Sequence, residues 1–118
     1  MSIQTYSDLL AWQKAMGVVE TVYRVTRDWP REELFGLTSQ IRRAAVSVPA
    51  NIAEGQGRTG TKEFLHHLSI ANGSLRELQT HVLISQRLGY SDESTCKALM
   101  EQTTEVARLL VGLIKSLH

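Results

Sequence analysis

The run Gln40-Ile41-Arg42-Arg43-Ala44-Ala45-Val46-Ser47-Val48-Pro49-Ala50-Asn51-Ile52-Ala53-Glu54-Gly55 decides how the rest of the chain is read. Leu34, Leu37, Ile41, Ala45, Val48 and Ile52 recur at spacings of three and four, which puts them on one face of a long helix. Gly55, Gly57 and Gly60 are expected to end it, since glycine accepts the positive φ that a helix terminus often needs. Pro49 lies inside the pattern. It removes one donor and crowds the carbonyl of Ala45, so a kink or break is expected, at about 3 kcal/mol unless neighbours compensate. Ser47 is placed to offer its hydroxyl to a freed backbone group. Ala44, Ala45, Ser47, Ala50 and Ala53 leave room for another helix to come close. Val46, Pro49 and Ala53 make a second, weaker apolar strip, which calls for a partner other than the core.

Three further helices surround this one. The first is expected after Ser7 as N-cap, with Asp8 in the first turn and a main stripe of Trp12, Ala15, Met16, Val19, Val22, Tyr23 and Thr26. Val18, Val25 and Trp29 lie on a neighbouring face, so the apolar arc covers about half the circumference, wider than the roughly 100° a surface helix needs. Part of that arc is expected to meet another subunit. Pro30 closes the helix. The central helix is entered through Arg31-Glu32-Glu33. Thr59 or Thr61 can cap the third helix, whose seam is Phe64, Leu68, Ala71, Leu75, Leu78 and Val82. Gly89 ends it, and Ser91 caps a fourth with seam Leu99, Thr103, Val106, Leu110, Leu113 and Leu117. Short connections make sequential helices antiparallel, so the expectation is an all-α, up-down-up-down antiparallel four-helix bundle, oligomeric, in one domain over residues 1–118.

The run from Gly36 to Gly55 resembles the signature of the 23S rRNA intervening-sequence proteins. Asp8-Leu9-Leu10-Ala11-Trp12-Gln13-Lys14-Ala15 is similar to that family's opening. Glu63-Phe64-Leu65 and Ile70-Ala71-Asn72-Gly73-Ser74-Leu75-Arg76-Glu77-Leu78 are similar to its third helix, and Leu88-Gly89-Tyr90 to the turn after it. The resemblance covers nearly the whole chain. It implies a four-helix bundle that assembles into homopentamers. It also implies kinship with the accessory proteins of diversity-generating retroelements, which bind nucleic acid and a reverse transcriptase. The family's own activity is poorly defined, so the resemblance speaks to fold more than to function.

Composition narrows the classes. Thirteen basic and twelve acidic residues nearly cancel over 118 residues, which argues against a strongly basic nucleic-acid-binding tail but is silent on local patches. The single cysteine, Cys96, excludes an internal disulfide and fits a reducing cytoplasm. No apolar run approaches the roughly 20 residues of a membrane span. The opening residues lack a basic region followed by an apolar core, so no signal peptide is expected.

Enzyme-like constellations are weak. Glu63, His67, Glu77 and His81 fall on one arc of the third helix, each Glu four residues before its His. Bundle metal sites draw carboxylates from facing helices as well, and the other seams offer none at their centres, so a polar face is favoured over a metal site. His66 and His67 point apart. Cys96 lacks an activating neighbour and reads as a buried thiol. Gly55-Gln56-Gly57-Arg58-Thr59-Gly60 lacks the Gly-Lys-Ser/Thr ending and the preceding strand of a P-loop, and reads as a turn. No catalytic residue, metal or cofactor is expected.

The basic residues carry the functional expectation. Arg42, Arg43, Arg58 and Lys62, with Arg24 and Arg27 next, are the candidate contacts to structured RNA or DNA phosphates. An oligomer repeats each patch, so contacts add and affinity becomes steeply salt-dependent. Asp28, Glu32, Glu33 and Glu54 are expected to compensate these charges, Glu54 by pairing with Arg58 or Arg43. No aromatic residue interleaves with the arginines in sequence, so base stacking is not expected. Val46, Pro49, Ala53, Val18, Val25 and Trp29 are the candidate subunit interface. The competing expectation is a purely structural or protein-interaction oligomer with no nucleic-acid role.

Overall fold

The computed structural model describes residues 5–118. Among them are four α-helices and no strand: α1 (Leu10–Thr26), α2 (Leu37–Gln56), α3 (Thr61–Arg87) and α4 (Glu93–Ser116). Single 3-10 turns at Tyr6–Asp8 and Arg31–Glu33 precede α1 and α2. Cross-helix contacts give the direction of each pair. Thr26 on α1 meets Arg42 early on α2. Asn51 meets His67, and Ser47 meets Ser74. Gln79 meets Thr103. Lys14 meets Glu105, while Trp29 meets Ser91. The end of α1 meets the start of α2, and in the other pairs, with Val82 meeting Cys96 beside Gln79 meeting Thr103, rising numbers on one helix match falling numbers on its neighbour, so the bundle is up-down-up-down and antiparallel, with α1 closing against α4.

The seams on α2, α3 and α4 are where the periodicity puts them. Ile41, Ala45, Val48 and Ile52 of α2, Leu68, Ala71, Leu75, Leu78 and Val82 of α3, and Leu99, Thr103, Val106 and Leu110 of α4 are buried together. Thr103 is accommodated because its hydroxyl donates to the Leu99 carbonyl and accepts from Gln79. Leu34 was expected in the α2 seam but lies outside the helix and is exposed. On α1 the core face is rotated. Ala11, Ala15, Val18, Val22 and Thr26 are buried, while Met16 and Tyr23 are exposed. Small and β-branched residues take the inside, the bulkier Met16 and Tyr23 line the outside, and Trp12 is partly buried against the core.

Several helix ends differ from expectation. The segment at Ser7 forms the 3-10 turn, and α1 begins after Leu9, without a side-chain cap. Gly55 does not end α2: it is buried inside the helix, and an added Cβ would lie 2.6 Å from the Cβ of His67 and 3.1 Å from Phe64. Its role is close approach of α2 and α3. Gly60, rather than Thr59 or Thr61, takes the N-cap position of α3. Asp92, rather than Ser91, caps α4, accepting from the Thr95 amide at 2.8 Å. Ser91 instead receives the indole N–H of Trp29 at 3.2 Å. Gly89 alone among the described residues has positive φ, +79°. The Gly89 amide donates to Gln86 and the Tyr90 amide to Ser85, the paired bonds of a Schellman terminus.

Pro49 is buried within an unbroken α2. The Ser47 hydroxyl does not turn back to the freed carbonyl. It receives hydrogen bonds from Asn51 Nδ2 at 3.0 Å and from the Ser74 hydroxyl at 2.8 Å, which ties α2 to α3.

Candidate nucleic-acid interface

The connection between α1 and α2 shapes one end of the molecule. Trp29 is 8% exposed and packs beside Tyr90, with ring centroids 5.9 Å apart. Tyr90 donates its hydroxyl to Glu33 Oε2 at 2.8 Å, and Glu33 Oε1 accepts the Leu37 amide at the start of α2. The Leu37 amide and then the Tyr90 hydroxyl hold the Glu33 carboxyl below its ordinary range, and Glu33 in turn raises the Tyr90 phenol. A Cβ added at Gly36 would meet Glu33 Oε1 at 2.8 Å, so a side chain there would displace this carboxylate from the cap. These bonds fix the connection against the α3–α4 turn. They also cover the N-terminus of α2 with a carboxylate, so that terminus is not an anion site.

The arginines gather around this end. Arg27, Arg31 and Arg42 line one cleft with Thr26 and Trp29. Arg42 and Arg43 line the adjoining groove with Tyr23, Leu34, Phe35 and Val46. The Arg42 Nε donates to the Thr26 hydroxyl at 2.9 Å, and its guanidinium lies 4.6 Å from the centre of the Tyr23 ring. Ion pairs among the described residues join Lys14 to Glu105, Arg58 to Glu54 and, when His81 is protonated, His81 to Glu77. Arg24, Arg27, Arg31, Arg42 and Arg43 are in none of them. The compensation expected of Glu54 is present, on Arg58 at 2.9 Å, whereas Glu33 serves the cap and Tyr90 and no carboxylate of the described residues pairs with Arg24, Arg27, Arg31, Arg42 or Arg43.

The structure separates the predicted contacts into two groups. Arg27, Arg42 and Arg43 come together, and Arg31, missed in the sequence, joins them. Arg24 is exposed on α1, one turn before Arg27, with a long 3.5 Å contact to Thr21. Arg58 and Lys62 lie at the other end of α2, roughly 24 Å from Arg42 at about 1.5 Å of rise per residue. The aromatic expectation is corrected too. Tyr23 and Phe35 are distant from Arg42 and Arg43 in sequence, but the fold brings all four to one groove. Phe35 is 94% exposed. A signal for it existed: Phe35 fits no seam and precedes the glycine that opens α2.

The interface candidates also divide. Val18, at 3% exposure, and Trp29 are buried inside the subunit, so their side chains have little surface left for a second copy. Val25 is half-buried against the same core. Pro49 is largely covered, yet with Val46 and Ala53 it lines an open apolar groove whose other wall is Tyr6, Trp12 and Met16. Tyr6 and Trp12 meet edge to face at 5.1 Å.

The enzyme-like set disperses. His67 pairs with Asn51 at 3.1 Å, and the 7% exposed His81 with Glu77 at 3.1 Å. The two histidines are roughly 21 Å apart along α3, and among the described residues no three metal-ligating side chains converge. Cys96 is buried against the Val82 carbonyl, and burial pushes its thiol up. Among the described residues no helix is long and apolar enough to cross a membrane.

No curated protein matches the chain. A crystal structure of a protein with unknown function from the S23 ribosomal protein family of Bacteroides thetaiotaomicron superposes with a TM-score of 0.81 at 22% identity, over 90% of this chain and 99% of that one. That likeness shows the shared fold. The pattern of the 23S rRNA-intervening sequence proteins matches residues 7–112, and so this four-helix chain belongs to that family.

Proposed function

We propose that the protein is a non-enzymatic, homo-oligomeric scaffold that binds structured RNA through the arginines at the α1–α2 end. The observation that carries this reading is the gathering of Arg27, Arg31, Arg42 and Arg43 around two adjoining clefts with no ion pair to any described residue. Guanidinium groups left without carboxylate partners attract phosphate, and contacts to phosphate position a nucleic acid without reading its sequence. Arg58 is the weaker contact, because Glu54 competes for it, as its pairing in sequence suggests. Arg24 extends the cationic surface along α1, while Lys62 lies with Arg58 at the opposite end of α2.

Repetition of this patch by self-association strengthens the reading. The apolar groove of Tyr6, Trp12, Met16, Val46, Pro49 and Ala53 supplies a surface for a second copy. A ring of five, and a reverse transcriptase as partner, are what the family resemblance adds. The same groove favours the second reading, a protein-interaction oligomer without a nucleic-acid role. Binding of a stem–loop RNA across a salt series separates the two. The scaffold reading expects affinity to fall steeply with salt and to be lost on charge reversal of Arg42 and Arg43. Indifference to RNA at low salt supports the protein-interaction reading.

A further inference from the structure

The groove beside the arginines has a chemistry that phosphate binding alone does not use. Its walls carry two guanidinium groups, Arg42 and Arg43, two aromatic rings, Tyr23 and Phe35, and no carboxylate. The Tyr23 ring is covered on one side by Arg42, which is itself held by Thr26. The Phe35 ring is not covered: it is 94% exposed, next to a chain segment fixed by Glu33, Gly36 and Tyr90. An aromatic side chain on a fixed segment, almost fully in water, contributes nothing to this subunit's core.

We propose that this groove takes an unpaired nucleotide of the bound RNA, with the base stacked on Phe35 and the adjoining phosphate on Arg43. The inference rests on the RNA-binding reading above and names the kind of RNA that reading needs. A purely apolar partner does not match a groove with two unpaired cations, and a simple anion does not use the rings. A nucleotide combines a flat π-face with a negative charge, which is the pairing the groove offers. Base stacking tolerates any base, so this contact selects unpaired over paired nucleotides rather than one sequence. Arg42, anchored on Thr26 and Tyr23, is a positioning residue that holds the cationic wall in place.

The test compares a stem–loop RNA bearing an unpaired loop with a blunt duplex carrying the same number of phosphates, measured by anisotropy on the full chain at fixed salt. Phe35→Ala and Phe35→Trp are assayed beside the unsubstituted protein, with native mass recorded for each. The proposal expects a preference for the stem–loop. It expects Phe35→Ala to weaken stem–loop binding about tenfold to a hundredfold, leave duplex binding and native mass unchanged, and Phe35→Trp to keep the preference. Equal binding of the two RNAs, or equal loss of both in Phe35→Ala, overturns the stacking proposal and leaves the phosphate scaffold standing. A lowered native mass in Phe35→Ala also overturns it, by making Phe35 a contact between copies. Failure of the unsubstituted protein to bind either RNA overturns both readings.

Discussion

Replacing Gly55 by alanine and replacing Gly73 by alanine are the same chemical change in two helices, and the structure gives them opposite signs. At Gly73 the added methyl meets nothing within 4 Å. Only the helix propensity changes, a gain of up to about 1 kcal/mol. At Gly55 the methyl would sit 2.6 Å from His67 Cβ, about 1 Å inside the usual carbon–carbon separation of roughly 3.5–4.0 Å. A Cβ cannot rotate away, so relief requires α2 and α3 to move apart. That movement stretches the Asn51–His67 and Ser47–Ser74 contacts at 3.1 and 2.8 Å. Overpacking of this kind costs about 1–3 kcal/mol. After the full propensity gain of about 1 kcal/mol, the net loss is about 0–2 kcal/mol. Near this chain length 1 kcal/mol corresponds to roughly 4 °C in Tm. Gly55→Ala should therefore melt up to roughly 8 °C lower, and Gly73→Ala up to about 4 °C higher. Thermal unfolding followed by far-UV circular dichroism reads both, at one protein concentration, so that any concentration-dependent association is held constant. A Gly55→Ala variant stabilised as much as Gly73→Ala would refute the close α2–α3 approach.

Three further outcomes are expected. The bonds to Glu33 and Asp92 favour their carboxylates in the folded chain, so that stabilisation is present above the ordinary carboxylate range and is lost as pH falls through the depressed folded values. The denaturation midpoint should fall on acidification, and less so in Glu33→Gln, which starts lower at neutral pH. Each phosphate contact removed lowers the slope of log affinity against log salt by about 0.7 to 0.9; Arg43→Glu should show at least that change, and Arg58→Glu a smaller one, because Glu54 already holds Arg58. Val46→Glu puts a carboxylate into the apolar groove at an exposed helix position. It should reduce native mass by sedimentation while leaving helix content unchanged.

What the sequence discloses depends on how narrow each apolar stripe is. On α3 and α4 the stripe is a single strict seam, and Leu68, Leu78, Val106 and Leu110 are buried where spacing places them. On α1 half the circumference is apolar. Periodicity then cannot say which part faces inward, and the large residues Met16 and Tyr23 draw attention from Ala11 and Val18, which fit the tighter interior. Helix ends depend on single hydrogen bonds, so adjacent capping residues are easily exchanged: Asp92 takes the cap, and Ser91 meets a tryptophan from the α1–α2 connection. Gly55 reads as a helix stop in sequence because only the packed α3 side chains of His67 and Phe64 reveal the crowding. The site was half legible for the same reason. Arg42 and Arg43 are neighbours in the chain, but their relation to Tyr23, Arg31 and Phe35 exists only after α1 and α2 pack.

The central claim is that unpaired arginines on a self-associating bundle hold structured RNA by its phosphates. The most direct measurement is binding of a stem–loop RNA to the unsubstituted protein across a salt series, with native mass recorded in the same buffers. The account predicts an oligomer that binds at low salt and loses affinity steeply as salt rises. An oligomer that ignores the RNA at low salt would contradict it.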